Sequence, residues 1–396
     1  MANREGSFVF PVADLEVRFI RPRLARGGVH SGVWSDVAVS HGGAHVHEAR
    51  YNLSSLTSRR ELAKYLASRA ELPKPLNWTD AIETAATLMC REMHKGKAAT
   101  HIADCPNPAE PSYLVKPLLL RDKLTIFYGE GEGAKSLVAV ALAYCVSTGE
   151  GDLLGLTAQG EAVNYLDWET DDEEIARRTK RFAAGLGFEV WPDFNYFRMD
   201  VPLVDDTETM RNLAPGFTII DSLGPACGGD TIRPEGPTNF WNTVRRLQGT
   251  VLVIAQTQKD GPKKTIFGSG MFHYMARSVW EAVNVVEDGT GTIHLAMFHR
   301  KSNVGRHWPP MAWRFEFDDT ACTTLVRPEQ LAAIPEMTSH LSVQDQIAAV
   351  LRGGSRTVGD ICAEADLKEN TVRGTLRRYR SRFVKNGEQW GLLSNR

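Results

Sequence analysis

The chain has 396 residues, 42% hydrophobic and 24% charged, which suits a globular protein of two or three domains and excludes a disordered one. A net charge of −2 gives no global basic field, so any contact with nucleic acid has to come from local patches. Six cysteines, Cys90, Cys105, Cys145, Cys227, Cys322 and Cys362, lack paired spacing, which argues against a zinc site and a disulfide framework. The first residues lack a charged-then-apolar leader, and no run of about 18 apolar residues could cross a bilayer. The expectation is a cytoplasmic protein without membrane contact.

From the N-terminus, residues 15–20 and 34–39 alternate apolar and polar side chains between glycine turns, as half-buried strands do. Residues 58–66 keep helical spacing after a capping-type serine, and 77–93 repeat it with Trp78, Ile82, Ala85, Leu88 and Met89. Residues 1–105 are read as a small α+β domain. His41, His45 and His47 lie in a strand-like stretch, but no carboxylate or thiol spacing completes a metal site, so they are read as surface histidines. Pro106, Pro108 and Pro111 then mark a linker.

Residues 124–136 run from an apolar strand through Gly129, Gly131 and Gly133 to Ala134, Lys135 and Ser136, and an apolar helix follows. Glycines let such a loop wind tightly, so that backbone amides and the helix N-terminus face a polyphosphate. Lys135 is placed to reach the terminal phosphates of ATP and Ser136 to ligate Mg2+. The pattern G-x-x-x-x-G-K-[ST] normally has glycine before the lysine, and this chain has Ala134, whose methyl could crowd the phosphates or favour the helix.

Apolar runs at 163–166, 217–220 and 251–255 alternate with helical stretches at 171–186 and 239–247. That alternation predicts an α/β fold with a mostly parallel sheet and function gathered at the strands' C-terminal ends. Asp221, closing the second run, is the candidate magnesium carboxylate. Near the end of the first, Glu169 is the candidate base for the attacking water, with Asp167 competing; either could instead pair with a neighbouring arginine. Gln256, closing the third, is placed to sense the γ-phosphate. Lys259, Lys263 and Lys264 follow in a glycine- and proline-containing loop, either DNA-contacting or merely solvated.

From about residue 328 the composition shifts to a helical tail, with helical spacing at 343–351, 357–365 and 369–383 and a closing strand at 390–393. Residues 340–396 resemble a winged helix-turn-helix. Its last long helix carries Arg373, Arg377 and Arg378, read as DNA contacts, with protein docking as the alternative.

Residues 114–313 resemble the RecA-like hexameric ATPases that include RepA-type plasmid helicases and, more distantly, DnaB-type replicative helicases. The phosphate loop, the strand ending Asp167-Trp168-Glu169 followed by Arg177, Arg178 and Arg181, the strand end Ile220-Asp221-Ser222-Leu223, and residues 255–259 carry it. The resemblance implies a RecA-like P-loop core over 106–327, Glu169 as catalytic base, and Gln256 coupling the γ-phosphate to DNA-facing loops. RepA-type members usually have histidine at that last position. Residues 268–277 are similar to the segment leading to an arginine finger, so Arg277 would reach ATP on a neighbouring subunit. Arg300 and Lys301 are the alternative fingers, unless they pair with Glu281 or Glu287 or face solvent.

The resemblance implies a homo-oligomeric ATPase, most simply a hexameric ring, acting on single-stranded DNA: a helicase replicating a plasmid or phage with replication partner proteins. The alternatives are an ATP-controlled DNA-binding switch or initiator with slow hydrolysis, and a recombinase forming open filaments.

Overall fold

In the computed structural model the described residues are 6–10, 15–25, 32–72, 76–94, 99, 101–104, 111–131, 134–187, 192–258, 265–287, 289–331 and 334–393. The chain divides into two compact units, Met1–Asn107 and Pro108–Arg396.

The first unit is an antiparallel sheet of β1 (Gly6–Phe10), β2 (Leu15–Ala25), β3 (Gly32–His41) and β4 (Ala44–Asn52), followed by α1 (Leu56–Ser68) and α2 (Trp78–His94). Leu15, Val17 and Phe19 of β2 and Val33, Val37 and Val39 of β3 alternate into one core. Ser55, three residues before the serine expected from sequence, caps α1 by accepting from the Ser58 amide. Helix α2 buries Trp78, Ile82, Ala85, Met89 and Met93, each large side chain contributing about 1.5–3 kcal/mol. Leu88, expected on that face, is exposed.

The second unit begins with β5 (Tyr113–Lys116), β6 (Leu119–Leu120), β7 (Leu124–Gly129), α3 (Lys135–Thr148), β8 (Thr157–Ala158), β9 (Val163–Asp167), α4 (Asp172–Gly185), β10 (Asn195–Arg198) and α5 (Thr207–Asn212). It continues through β11 (Gly216–Asp221), α6 (Leu223–Cys227), α7 (Glu235–Val244), β12 (Gly249–Gln256), α8 (Gly270–Met275), β13 (Ser278–Glu287), β14 (Thr292–Ser302), β15 (Met311–Asp318) and β16 (Thr323–Glu329). The main sheet has the order β10-β9-β11-β12-β7-β13-β14-β15-β16. Strands β10 through β13 run parallel, and β14, β15 and β16 extend the sheet antiparallel.

This is the mostly parallel α/β sheet expected from the sequence. The phosphate-loop strand β7 and the strand β11 that ends in Asp221 are separated by β12 alone. Both faces of the parallel part are covered, so its strands read as continuous apolar runs. Phe127, Tyr165, Ile219 and Leu252 face the cluster containing α3; Ile126, Leu166, Ile220 and Val253 face the one containing α6 and α7. Helix α3 is buried almost throughout from Leu137 to Val146, which accounts for its apolar composition.

After β16 come α9 (Pro335–Thr338), α10 (Val343–Arg352), β17 (Arg356–Thr357), α11 (Val358–Ala365), α12 (Glu369–Arg378), β18 (Phe383–Asn386) and β19 (Gln389–Leu392). The three short strands form a sheet in the order β17-β19-β18. Ile347, Leu351, Ile361, Val372, Leu376 and Phe383 make its core. The last helix stops at Arg378, short of the expected residue 383, because Phe383 enters that core as the first residue of a strand. Among the described residues no helix is long and apolar enough to cross a membrane.

Candidate nucleotide site

Five parallel strands end side by side. Gln256 is paired with Gly129, Asp221 with Ile254 and with Asp167, and Asp167 with Arg198. The phosphate loop, both acidic strand ends and the γ-phosphate sensor candidate therefore share the sheet's C-terminal edge, where open α/β sheets bind ligands.

At Gly129 a β-carbon would lie 2.4 Å from the Ala282 carbonyl oxygen of the adjacent strand, so only glycine fits there. Gly131 is exposed, with open space where a β-carbon would be. Gly133 lies outside the described residues. Ala134 has φ +53° and ψ +14°, the left-handed conformation that glycine adopts freely and a β-carbon disfavours. The alanine at the position where the pattern has glycine thus keeps the glycine backbone geometry.

Lys135 is 7% exposed, and its ammonium donates to the Glu130 carbonyl. Burial pulls its pKa below the ordinary lysine value, while Asp221, Glu169 and Glu130 act in the opposite direction. Asp221 is 2% exposed. Burial raises its pKa to about 6, against the Tyr165 hydrogen bond and the nearby Ser136 hydroxyl, which favour the carboxylate. The Tyr165 hydroxyl donates to Asp221 Oδ2 at 2.7 Å, and Asp221 Oδ1 is buried without a hydrogen-bond partner among the described residues.

An orphaned carboxylate oxygen beside a serine hydroxyl is the hard-oxygen donor set that Mg2+ takes, usually together with waters and nucleotide phosphates. The residues present therefore fit a magnesium nucleotide. Ser136 and Asp221 would hold the metal, and Lys135 with the loop amides would hold the phosphates.

Glu169 is exposed beside this group, and its Oε1 accepts from Ser222 Oγ at 2.5 Å. Asp167 is occupied differently. Its Oδ1 accepts from the Glu169 and Thr170 amides at 2.8 and 3.1 Å, and its Oδ2 from Thr170 Oγ1 at 2.5 Å. Asp167 folds the turn that presents Glu169, leaving Glu169 as the carboxylate open to a substrate water.

Gln256 is exposed at the end of β12, and the chain beyond it turns back on itself. Thr257 bridges Ile266, the Gln258 amide donates to the Thr265 carbonyl at 2.9 Å, and the Phe267 amide to the Gln256 carbonyl at 2.8 Å. Lys259, Lys263 and Lys264 lie outside the described residues.

The three candidate finger cations have different settings. Arg300 is ion-paired with Glu281, as one alternative foresaw, and also donates to the His340 carbonyl at 2.7 Å. Lys301 donates to the carbonyls of His273, Tyr274 and Ala276 at 2.7 to 2.8 Å, satisfying the end of α8. Arg277 is exposed, and its guanidinium has no hydrogen-bond or ion-pair partner among the described residues. Its amide donates to the Leu124 carbonyl at the start of β7. Five residues of strand, roughly 17 Å, separate that level from Gly129, so Arg277 stands at the opposite edge of the sheet from its own phosphate loop.

On α12, Arg373 is paired with Glu369, whereas Arg377 and Arg378 are exposed. Sequence reasoning missed Tyr165, Ser222 and Tyr196. Each meets its partner only through strand pairing, and no local spacing signals it.

A family profile described as an AAA domain matches residues 94–262, a stretch that includes the phosphate loop, Glu169, Asp221 and Gln256. The match covers under half of the chain and, with the phosphate loop it contains, supports a P-loop ATPase-like domain over that stretch. Comparison with curated proteins gave no match. Among solved structures, the chain is similar to the flagellar accessory protein FlaH from Methanocaldococcus jannaschii, at 13% identity and a TM-score of 0.36, over 52% of this chain and 89% of that one. It is similar to a KaiC-like protein from Pyrococcus horikoshii at 14% identity and a TM-score of 0.36, over 56% and 100%. It is also similar to the RadB recombinase at 14% identity and a TM-score of 0.34, over 51% and 89%.

Proposed function

We propose that the protein is an ATP-hydrolysing motor that works on single-stranded DNA as a homo-oligomeric ring, a helicase in the replication of a plasmid or phage. The observation that carries the reading is the pairing of Gln256 with Gly129. A strand that touches the phosphate loop continues into Thr257 and Gln258, which pair back with Ile266 and Thr265, so loss of the γ-phosphate can be felt between those flanks, where the sequence carries three lysines.

The ATP chemistry follows from the site. Lys135 and the loop amides bind and orient the phosphates, and Glu169 accepts the proton of the attacking water. Bound Mg2+ would neutralise phosphate charge between Ser136 and Asp221. Arg277, remote from its own loop, supplies a guanidinium to a neighbour's nucleotide, which requires head-to-tail interfaces and most simply closes into a ring.

Two features support single-stranded DNA as the track. Phe267 and Tyr274, 49% and 77% exposed, follow the lysine loop and offer faces on which bases can stack. The C-terminal arrangement of α10, β17, α11, α12 and the β18–β19 hairpin supports a winged-helix reading, with Arg377 and Arg378 exposed on its third helix as phosphate contacts. Replication partner proteins and a cytoplasmic setting belong to the same reading.

A second reading, an ATP-controlled DNA-binding switch, is favoured by one contact: Ser222 holds Glu169, which slows turnover. A forked-duplex assay separates the two. The motor displaces the strand with ATP and not with a non-hydrolysable analogue; the switch binds duplex and displaces nothing.

A further inference from the structure

Two tyrosines on neighbouring strands repeat one geometry. Tyr196 of β10 is paired with Tyr165 of β9, and their rings stack at 6.3 Å and 27°. Tyr165 is in turn paired with Ile219 of β11. Because side chains two apart share a sheet face, each ring leans toward the carboxylate two residues beyond its partner on the next strand. Tyr196 donates to Asp167 Oδ2 at 3.3 Å, and Tyr165 to Asp221 Oδ2 at 2.7 Å. One tyrosine thereby touches the candidate metal carboxylate, and the other touches the carboxylate that folds the turn of the candidate base.

We propose that Tyr165 is a positioning residue for magnesium: by occupying Asp221 Oδ2 it fixes the carboxylate plane and presents the buried, unpartnered Oδ1 to the metal, while Tyr196 does the equivalent for the turn that carries Glu169. The inference rests on the nucleotide reading of the site. Tyr165 is fully buried, and its hydroxyl hydrogen bond to Asp221 is made inside the core rather than to solvent. No covalent step is involved. The hydroxyl acts only by leaving one carboxylate oxygen free and the other held.

The test is binding of a fluorescent ATP analogue to the full-length protein, first in EDTA and then titrated with Mg2+, with thermal melts to confirm folding. For Tyr165→Phe, Mg2+-free binding stays at the wild-type level and half-saturating Mg2+ rises about tenfold. Tyr165→His, which keeps a donor, recovers part of the shift. Tyr196→Phe removes an equivalent phenol from the adjacent strand; it leaves the Mg2+ midpoint unchanged and lowers kcat at constant KM. A wild-type Mg2+ midpoint in Tyr165→Phe overturns the proposal, as does equal loss of Mg2+-free and Mg2+-dependent binding in a folded variant. If the wild-type protein binds the analogue no better than Lys135→Ala does, the nucleotide reading itself fails and the proposal falls with it.

Discussion

Ser222 Oγ donates a 2.5 Å hydrogen bond to Glu169 Oε1, joining the residue that follows the candidate metal carboxylate to the residue that would take the proton from water. A hydrogen bond to a charged carboxylate contributes about 1.5–3 kcal/mol and makes it a weaker base. Ser222→Ala is therefore expected to raise DNA-independent ATP hydrolysis severalfold, read as steady-state phosphate release. A fall as large as that caused by Glu169→Gln, about 10²-fold or more, would mean that Ser222 orients the base and does not restrain it.

Ala134 occupies a left-handed conformation that costs an alanine about 1 kcal/mol relative to glycine. Ala134→Gly is expected to raise the melting temperature of the nucleotide-free protein by about 2 °C, with nucleotide affinity retained. A lower melting temperature would show that the methyl's packing against the α3 core outweighs the backbone strain.

If Arg277 acts across a subunit boundary, Lys135→Ala and Arg277→Ala proteins should each be inactive alone and partly active when mixed. The first supplies the finger, the second an intact phosphate loop, and loss of a finger costs about 10³-fold in rate. Mixtures as inactive as the separate variants would contradict the assignment.

His294 accounts for a pH dependence of stability. It is buried between Glu329, 2.7 Å from Nδ1, and Glu287, 2.8 Å from Nε2. Burial opposes the imidazolium, but the hydrogen bonds to Glu329 and then Glu287 prevail, and the pKa rises above its ordinary value of 6.5. A folded-state pKa above the unfolded one gives stabilisation that is fully present below about pH 6.5 and lost as pH rises through the folded value. His294→Gln should therefore lower the melting temperature more at pH 6 than at pH 9. A pH-independent difference would rule out a charged His294.

The core and most of the candidate site could be read from sequence because a parallel strand covered on both faces is a continuous apolar run, and its first polar residue marks the sheet's C-terminal edge. Asp221 and Gln256 stood out in that way, and Asp167 drew attention to the turn that carries Glu169. Strand β13 was hidden by Glu281, a carboxylate buried at 5% exposure whose partner Arg300 lies nineteen residues away. The tyrosine ladder was hidden for the same reason: Tyr165 and Asp221 are 56 residues apart and meet only through the register of β9 and β11. Helix α12 was drawn too long because the arginines around Tyr379 suit a helix, while the tertiary demand on Phe383 ends it.

The central claim, a DNA-driven ATPase built on Lys135, Asp221 and Glu169, is tested most directly by steady-state ATP hydrolysis with and without single-stranded DNA, using Lys135→Ala as the control. The account predicts hydrolysis that DNA stimulates and that the variant abolishes. Tight, Lys135-dependent ATP binding with no turnover in the presence or absence of DNA would contradict it.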